Sequence, residues 1–402
     1  MRAVLHAALR AVLDIHRRDD VMRRIPIAPR KNWIARCEAI GFNFHTIDYG
    51  DGTDPMYWDE RAYYQFTATQ IDLLESVSDE LNQMCLHAVA KVIEQRRFAE
   101  FHIPEAYHEM IVRSWQRKAV SLYGRFDLVW DGSETPPKLL EFNADTPTSL
   151  YEASVVQWQW LNEMFPQADQ FNSIHEKLLS AWQKVQPRLG SKIYFAVVRD
   201  SIEDEGTVEY LRDTAIQTGI DAPLLHLDEI GWNGKYFTDL NEQRIDVLFK
   251  LYPWEWLLRE PIGEFLLREK LSLIEPAWRM ILSNKAILPI LWEMYPNHPN
   301  LLPAYFSPEK LGDTYVEKPI LSREGGNVRV VIAGETHLST SGFYADEPKV
   351  YQAYQPLPNF EQNYPILGSW IIDGQACGLG IREDHSPITA NSSRFLPHLF
   401  LE

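Results

Sequence analysis

Four residues, Arg125, Asp127, Glu141 and Asn143, stand in two short segments whose spacing suits phosphate and metal chemistry. The first segment runs from Tyr123 to Trp130 and the second from Lys138 to Asp145. Between them lies Asp131-Gly132-Ser133-Glu134-Thr135-Pro136-Pro137, a loop rich in turn formers. Side chains alternate along a strand with period two. Phe126, Leu128 and Trp130 then share one face, as do Leu140, Phe142 and Ala144. The opposite face gathers Arg125, Asp127, Glu141, Asn143 and Asp145. Hard oxygen ligands beside a guanidinium suit a Mg²⁺ ion that holds phosphates. The plainer alternative is the solvated outer face of a hairpin.

Two further segments carry cations. Tyr315 to Val331 reads as strand, glycine loop, strand, with Lys318 and Arg323 flanking Gly325-Gly326. Glycines let backbone N–H groups approach an anion. The segment is not a Walker loop, because G-x-x-x-x-G-K-[ST] is absent; taken alone it is also an ordinary hairpin turn. Ser283-Asn284-Lys285-Ala286-Ile287-Leu288 opens a helix-like stretch, and by itself it is a capped helix with an exposed lysine.

Taken together, these motifs resemble a known family. Glu141-Phe142-Asn143-Ala144-Asp145-Thr146-Pro147-Thr148, Ser283-Asn284-Lys285-Ala286, Glu317-Lys318-Pro319 with Ser322-Arg323-Glu324-Gly325, and Gly380-Ile381-Arg382-Glu383 are similar to the synthetase domain of glutathionylspermidine synthase. The order is the same, from about Arg24 to the C-terminus. The resemblance implies an α/β (α+β) chain with a permuted ATP-grasp fold and an inserted, pre-ATP-grasp-like α/β substrate domain. It also implies a stand-alone synthetase without the amidase domain of bifunctional members.

The activity implied is an ATP- and Mg²⁺-dependent acid–amine ligase that forms an amide through an acyl phosphate, with two metal ions. Residue by residue, Asp127, Glu141 and Asn143 match the metal ligands. Arg125 matches the arginine facing the phosphoryl and acyl oxygens, and Arg382 a second catalytic cation. Lys285 and Lys318 match the lysines on ATP. Ser322 to Asn327, with Arg323, Gly325 and Gly326, match a flap over the phosphates, and such a flap gates water. The adenine is expected near Gln352-Ala353-Tyr354-Gln355, which is also an ordinary strand. On the substrate side, Thr146 and Thr148 fall where the family places hydroxyl residues near glutathione. Glu203, Asp204 and Glu205 fall near its amine or peptide substrate, although acids also favour a helix N-terminus. Trp254-Glu255-Trp256 is a candidate wall of the same cleft.

The elements that must position these residues are legible from periodicity. Thr69 to Phe98 keeps a helical repeat through Leu73, Leu74, Val77, Leu81, Met84 and Cys85. An aromatic helix follows around Val155 to Phe165, with Trp158, Trp160, Leu161 and Met164 as packing residues. From Lys192 the pattern changes to strand, helix (Thr207 to Thr218), strand (Pro223 to Leu227) and strand (Ile245 to Leu251). This order predicts a small parallel α/β unit. The expected division is 1–23 as an N-terminal extension, 24–188 as a first ATP-grasp part, 189–270 as the α/β unit and 271–402 as a second ATP-grasp part.

Met1 to Asp20 reads as a short amphipathic helix; Met22 could equally be the start. Cys37, Cys85 and Cys377 offer no disulfide framework and no C-x-x-C site, as expected of buried thiols in the cytoplasm. No apolar run is long enough to span a membrane. A net charge of −17 disfavours a nucleic-acid partner and suits a cationic one. The partners expected are a peptide-like carboxylic acid and a polyamine-like amine. Two other readings stay open: an ATP-binding protein or ATPase of the same fold without ligase turnover, and a metal-dependent hydrolase. The hydrolase lacks the histidines such a site recruits.

Overall fold

The computed structural model describes residues 21–47, 55–268, 271–390 and 393–401. The expected helix from Met1 to Asp20 lies outside the described residues. The α/β architecture is built on three sheets of four or five strands. The central sheet is antiparallel and runs Arg394–Leu396, Gln375–Asp384, Tyr364–Ile372, Tyr123–Val129, Lys138–Asn143. Its first two strands in sequence are the polar pair identified above. The neighbouring strands return from the far end of the chain, so the sheet closes around everything between.

A long helix, Ala68–Glu94, shares one apolar core with this sheet. Its start is fixed by a capping box, with Gln70 N–H donating to the Thr67 hydroxyl and Thr67 N–H to the Gln70 carboxamide. Leu74, Val77, Leu81, Cys85, Ala88 and Val92 form its buried stripe, spaced three and four apart. The second sheet is also antiparallel: Ala304–Tyr305, Lys349–Ala353, Tyr315–Pro319, Arg329–Ile332, Glu335–Ser339. It carries Lys318 and borders a cleft against the central sheet.

The third sheet is parallel throughout, in the order Ser272–Ile274, Val247–Lys250, Tyr194–Val197, Leu224–His226. Phe195, Val197 and Phe249 pack with Val208, Leu211 and Ala215 of helix Ile202–Gln217. That helix begins five residues before Thr207, which puts Glu203, Asp204 and Glu205 in its first turn. The outer strand Ser272–Ile274 has only three residues, too few to show a period in sequence.

A buried ion pair ties this unit to the hairpin. Lys250 Nζ lies 2.8 Å from Asp145 Oδ1, and Trp254 N–H donates to Asp145 Oδ2 at 2.8 Å. Asp145 is thus withdrawn from the polar face on which period two placed it. Beyond Asn143 the strand has ended, and alternation no longer applies.

The three cysteines are buried and free. Among the described residues no helix is long and apolar enough to cross a membrane. Trp158 departs from its expected packing role and is 45% exposed. It sits two residues before the buried Trp160 on helix Gln157–Met164, hence on the opposite side.

Candidate active site

The two polar strands pair antiparallel, with Arg125 opposite Asn143, Phe126 opposite Phe142 and Asp127 opposite Glu141. A bulge follows, and Leu128 then pairs with Leu139. The extra residue re-aims the side chains. Leu139 therefore enters the core, while Leu140, expected there, lines the cleft beside Glu141. Under the polar face, the Phe126 and Phe142 rings stack at 3.9 Å.

Two buried groups from the segment after the parallel sheet clamp this hairpin. The Glu275 carboxylate accepts from Leu122 N–H at 2.8 Å, Tyr123 N–H at 3.0 Å and the Ser121 hydroxyl. Arg279 donates to the Ala144 carbonyl at 2.6 Å and to the Tyr123 carbonyl. Both residues escaped the sequence reading, since their partners are more than 130 positions away.

Charges on the polar face alternate in sign. Arg125 Nε donates to Asp127 Oδ1 at 2.8 Å, and Arg382 Nη2 to Asp127 Oδ2 at 3.0 Å. Lys285 Nζ sits 3.1 Å from Glu141 Oε2 and donates to the Ser322 carbonyl at 2.5 Å. Lys318 Nζ donates to Gln352 Oε1 at 2.7 Å and to the Leu140 carbonyl at 3.0 Å. Burial pushes the Glu141 carboxyl up, but Lys285, Lys318 and Arg382 outweigh it and hold the group at about 2. Burial lowers Lys318 to about 8, against the opposing pull of Glu141.

Asp127, Glu141, Lys285, Lys318 and Gln352 line one cleft of roughly 890 Å³, part of it open to solvent. Val316, Val330, Leu338 and Ile366 give it apolar walls, and residues 352–355 form one edge. A planar base flanked by phosphate-binding cations fits such a space. Gly325 also borders it, with φ at +66°. A Cβ there would lie 2.3 Å from the Thr389 carbonyl oxygen, so only glycine fits. Asp127 and Glu141, with Asn143 alongside, offer the few hard oxygens that Mg²⁺ takes when it keeps waters and phosphate oxygens. Among the described residues there is no group of three or more His, Cys, Asp or Glu that would hold a metal on its own.

Three expected flap residues differ in placement. Ser322 borders the cleft but is buried, its hydroxyl donating to the Pro319 carbonyl. Gly326 stands back from the cleft, with its N–H on the Arg323 carbonyl. Arg323 turns away to Glu255, at 2.7 Å, and to the Thr146 hydroxyl, at 2.7 Å. Thr146 and Glu255, both expected on the substrate side, therefore meet the flap.

A second cleft of about 630 Å³, partly open, is lined by Glu152, Glu203, Glu205 and Glu209 beside Phe42 and Phe44. Arg125 lines neither cleft but links their walls: its Nε is on Asp127, its Nη1 donates to the Thr148 carbonyl at 2.8 Å, and the Thr148 side chain bonds Glu203. Burial, with Glu152, Asp204 and Glu324 adding to it, raises Glu203 to about 7 against the Thr148 hydrogen bond. Glu152, which the sequence reading missed, is buried and raised in pKa by desolvation, while Arg125 and Arg382 oppose the shift. Its signal was a carboxylate amid Leu150, Ala153 and Val156, all apolar and buried.

This arrangement is a nucleotide-sized cleft between two antiparallel sheets, with lysines facing carboxylates. The sequence matches the family description glutathionylspermidine synthase preATP-grasp over residues 24–401. The chain belongs to that family, one of ATP-dependent acid–amine ligases, and is an enzyme of the carbon–nitrogen ligase class. It is 41% identical over 399 residues to a Haemophilus influenzae protein described as "Putative acid--amine ligase", covering 94% of this chain and 100% of that one. It is 29% identical to the bifunctional glutathionylspermidine synthetase/amidase of Escherichia coli, covering 84% of this chain and 59% of that protein. It is 27% identical to trypanothione synthetase of Crithidia fasciculata, over 79% of this chain and 53% of that one. The chain thus spans little more than half the length of the latter two. Its fold is similar to a glutathione synthetase-like effector from Globodera pallida, with a TM-score of 0.57 at 10% identity, covering 92% of this chain and 96% of that one.

Proposed function

We propose that the protein joins a small, peptide-like carboxylic acid to a polyamine-like amine using ATP, through an acyl phosphate. The observation that carries this reading is the chain of hydrogen bonds from Asp127 on the first cleft through Arg125 and Thr148 to Glu203 on the second. One cleft has the cations and carboxylates for a nucleotide. The other is lined by carboxylates, among the described residues, with no lysine or arginine, as suits an ammonium group.

On this reading an oxygen of the acid attacks the γ-phosphorus, and the bond to ADP breaks. The amine nitrogen then attacks the acyl carbon, and phosphate leaves with the C–O electrons. Lys285 and Lys318 hold the phosphates, and Arg125 and Arg382 neutralise charge on the transferred phosphoryl and the acyl oxygen. A Mg²⁺ ion bound by Asp127, Glu141 and Asn143 would offset the remaining oxygen charge. Residues 352–355 receive the adenine. Gly325, with Ser322, Arg323 and Gly326, forms a flap whose arginine must leave Glu255 to reach a phosphate.

An arriving ammonium must lose a proton before it attacks. Glu203 would take it, its carboxyl raised by burial to about 7. Glu205 and Thr148 hold the amine side and Thr146 the acid side. The test is a mass-spectrometric screen of acid and amine mixtures, beginning with glutathione and spermidine, with ATP and Mg²⁺. The expected result is an amide in equal amount to ADP. ADP formation that ignores both acid and amine would overturn the ligase reading in favour of an ATPase.

A further inference from the structure

Arginines in this acidic chain are almost always paired. Among the described residues every arginine has a carboxylate within 4 Å except Arg23, Arg113, Arg117 and Arg188. Three of those four line a single cleft of about 1360 Å³, part of it open to solvent. A fourth guanidinium on its wall, Arg268, has its carboxylate, Glu264, only at 3.8 Å. No carboxylate lines the cleft among the described residues. It shares no residue with either cleft of the candidate active site.

Helix ends explain part of this. Arg113 and Arg188 stand in the last turns of helices His108–Gln116 and Ile174–Leu189, where the negative end of the dipole favours a cation. Arg113 donates to the Glu109 carbonyl at 3.2 Å and Arg188 to the Lys118 carbonyl at 2.5 Å. Carbonyls leave the formal charges standing. Arg117 caps the first of these helices, so the same dipole favours it; helix ends do not account for the convergence of two helix termini and Arg268 on one cavity. The floor, by contrast, is apolar, with Leu189, Leu271 and Leu273.

We propose that this cleft binds a small organic phosphate, its phosphate among Arg113, Arg117 and Arg188 and its apolar body on the leucine floor. A guanidinium fork matches two phosphate oxygens at once, and unpaired forks need break no existing ion pair to do so. Apolar surface beneath adds affinity that inorganic phosphate cannot collect.

The test is calorimetry with 1-naphthyl phosphate after the nucleotide cleft has been filled with a non-hydrolysable ATP analogue and Mg²⁺. One equivalent should bind, about tenfold tighter than inorganic phosphate. The exposed pair Arg117→Gln/Arg188→Gln should weaken it by at least about tenfold, leaving affinity for the ATP analogue unchanged. The proposal is overturned by any of three results: no binding, equal binding of the two phosphates, or binding that the double variant does not weaken. Capture of a short RNA with no naphthyl phosphate bound would also overturn it, making the patch a nucleic-acid contact.

Discussion

Glu141 pairs with Lys285 at 3.1 Å, and the charge of Lys318 also acts on it. Glu141→Gln keeps the shape and removes the charge. Turnover should fall about 10²–10³-fold, the usual loss for one such electrostatic group, with a circular dichroism spectrum like that of the parent. Near-parental turnover at saturating Mg²⁺ would remove Glu141 from the metal set. Glu203 gives a pH dependence whose sign is fixed. Its carboxyl, raised to about 7 from 4.5, is protonated below that value and can accept a proton only above it. The amine-dependent kcat/KM, which reports the free enzyme, should therefore bend upward through about pH 7. In Glu203→Gln that bend should vanish while the KM for ATP stays the same. A bend that persists would reduce Glu203 to a helix-start acid. The same shift means that the folded chain retains a proton between pH 4.5 and about 7 that the unfolded chain has released, so this group lowers stability as pH rises across that window.

At the scale of elements, the hairpin and the parallel unit are coupled by Asp145 and Lys250, each about 1% exposed. Removing one partner leaves an uncompensated buried charge, at a cost of about 3–5 kcal/mol. Asp145→Ala should lower the denaturant midpoint accordingly, and adding Lys250→Met should recover much of the loss. Equal instability of the single and double variants would show that the pair is not the source. This pair also marks the limit of what sequence reveals. The hairpin was legible, because alternation over Tyr123–Val129 and Lys138–Asn143 is a local property. Its bulge was not, because an extra residue leaves alternation intact on either side, and Leu139 and Leu140 are the same amino acid. The parallel strands 194–197, 224–226 and 247–250 were visible within longer apolar runs, whereas Ser272–Ile274 lies in no such run, with Glu275-Pro276 directly after it.

For the whole molecule, sequence order and spatial order diverge, and that explains which site residues could be read. Lys285, Lys318 and Arg382 were recognisable through motifs and arrive on a turn between two helices and on two separate strands, far along the chain from the hairpin they meet. Glu275, Arg279 and Glu152 belong to no motif; burial and long-range partners single them out, and these exist only in the folded chain. Arg323 shows the converse case: its position was legible, but its direction, toward Glu255 rather than the nucleotide cleft, was not. The central claim concerns the chemistry that would link the two clefts. Its most direct test uses an acid substrate labelled with ¹⁸O in its carboxylate, incubated with ATP, Mg²⁺ and amine, with the released phosphate analysed by mass. If the acid is activated as an acyl phosphate, each amide formed leaves one labelled oxygen in phosphate. Amide accompanied by unlabelled phosphate, or phosphate released without amide, would contradict the account.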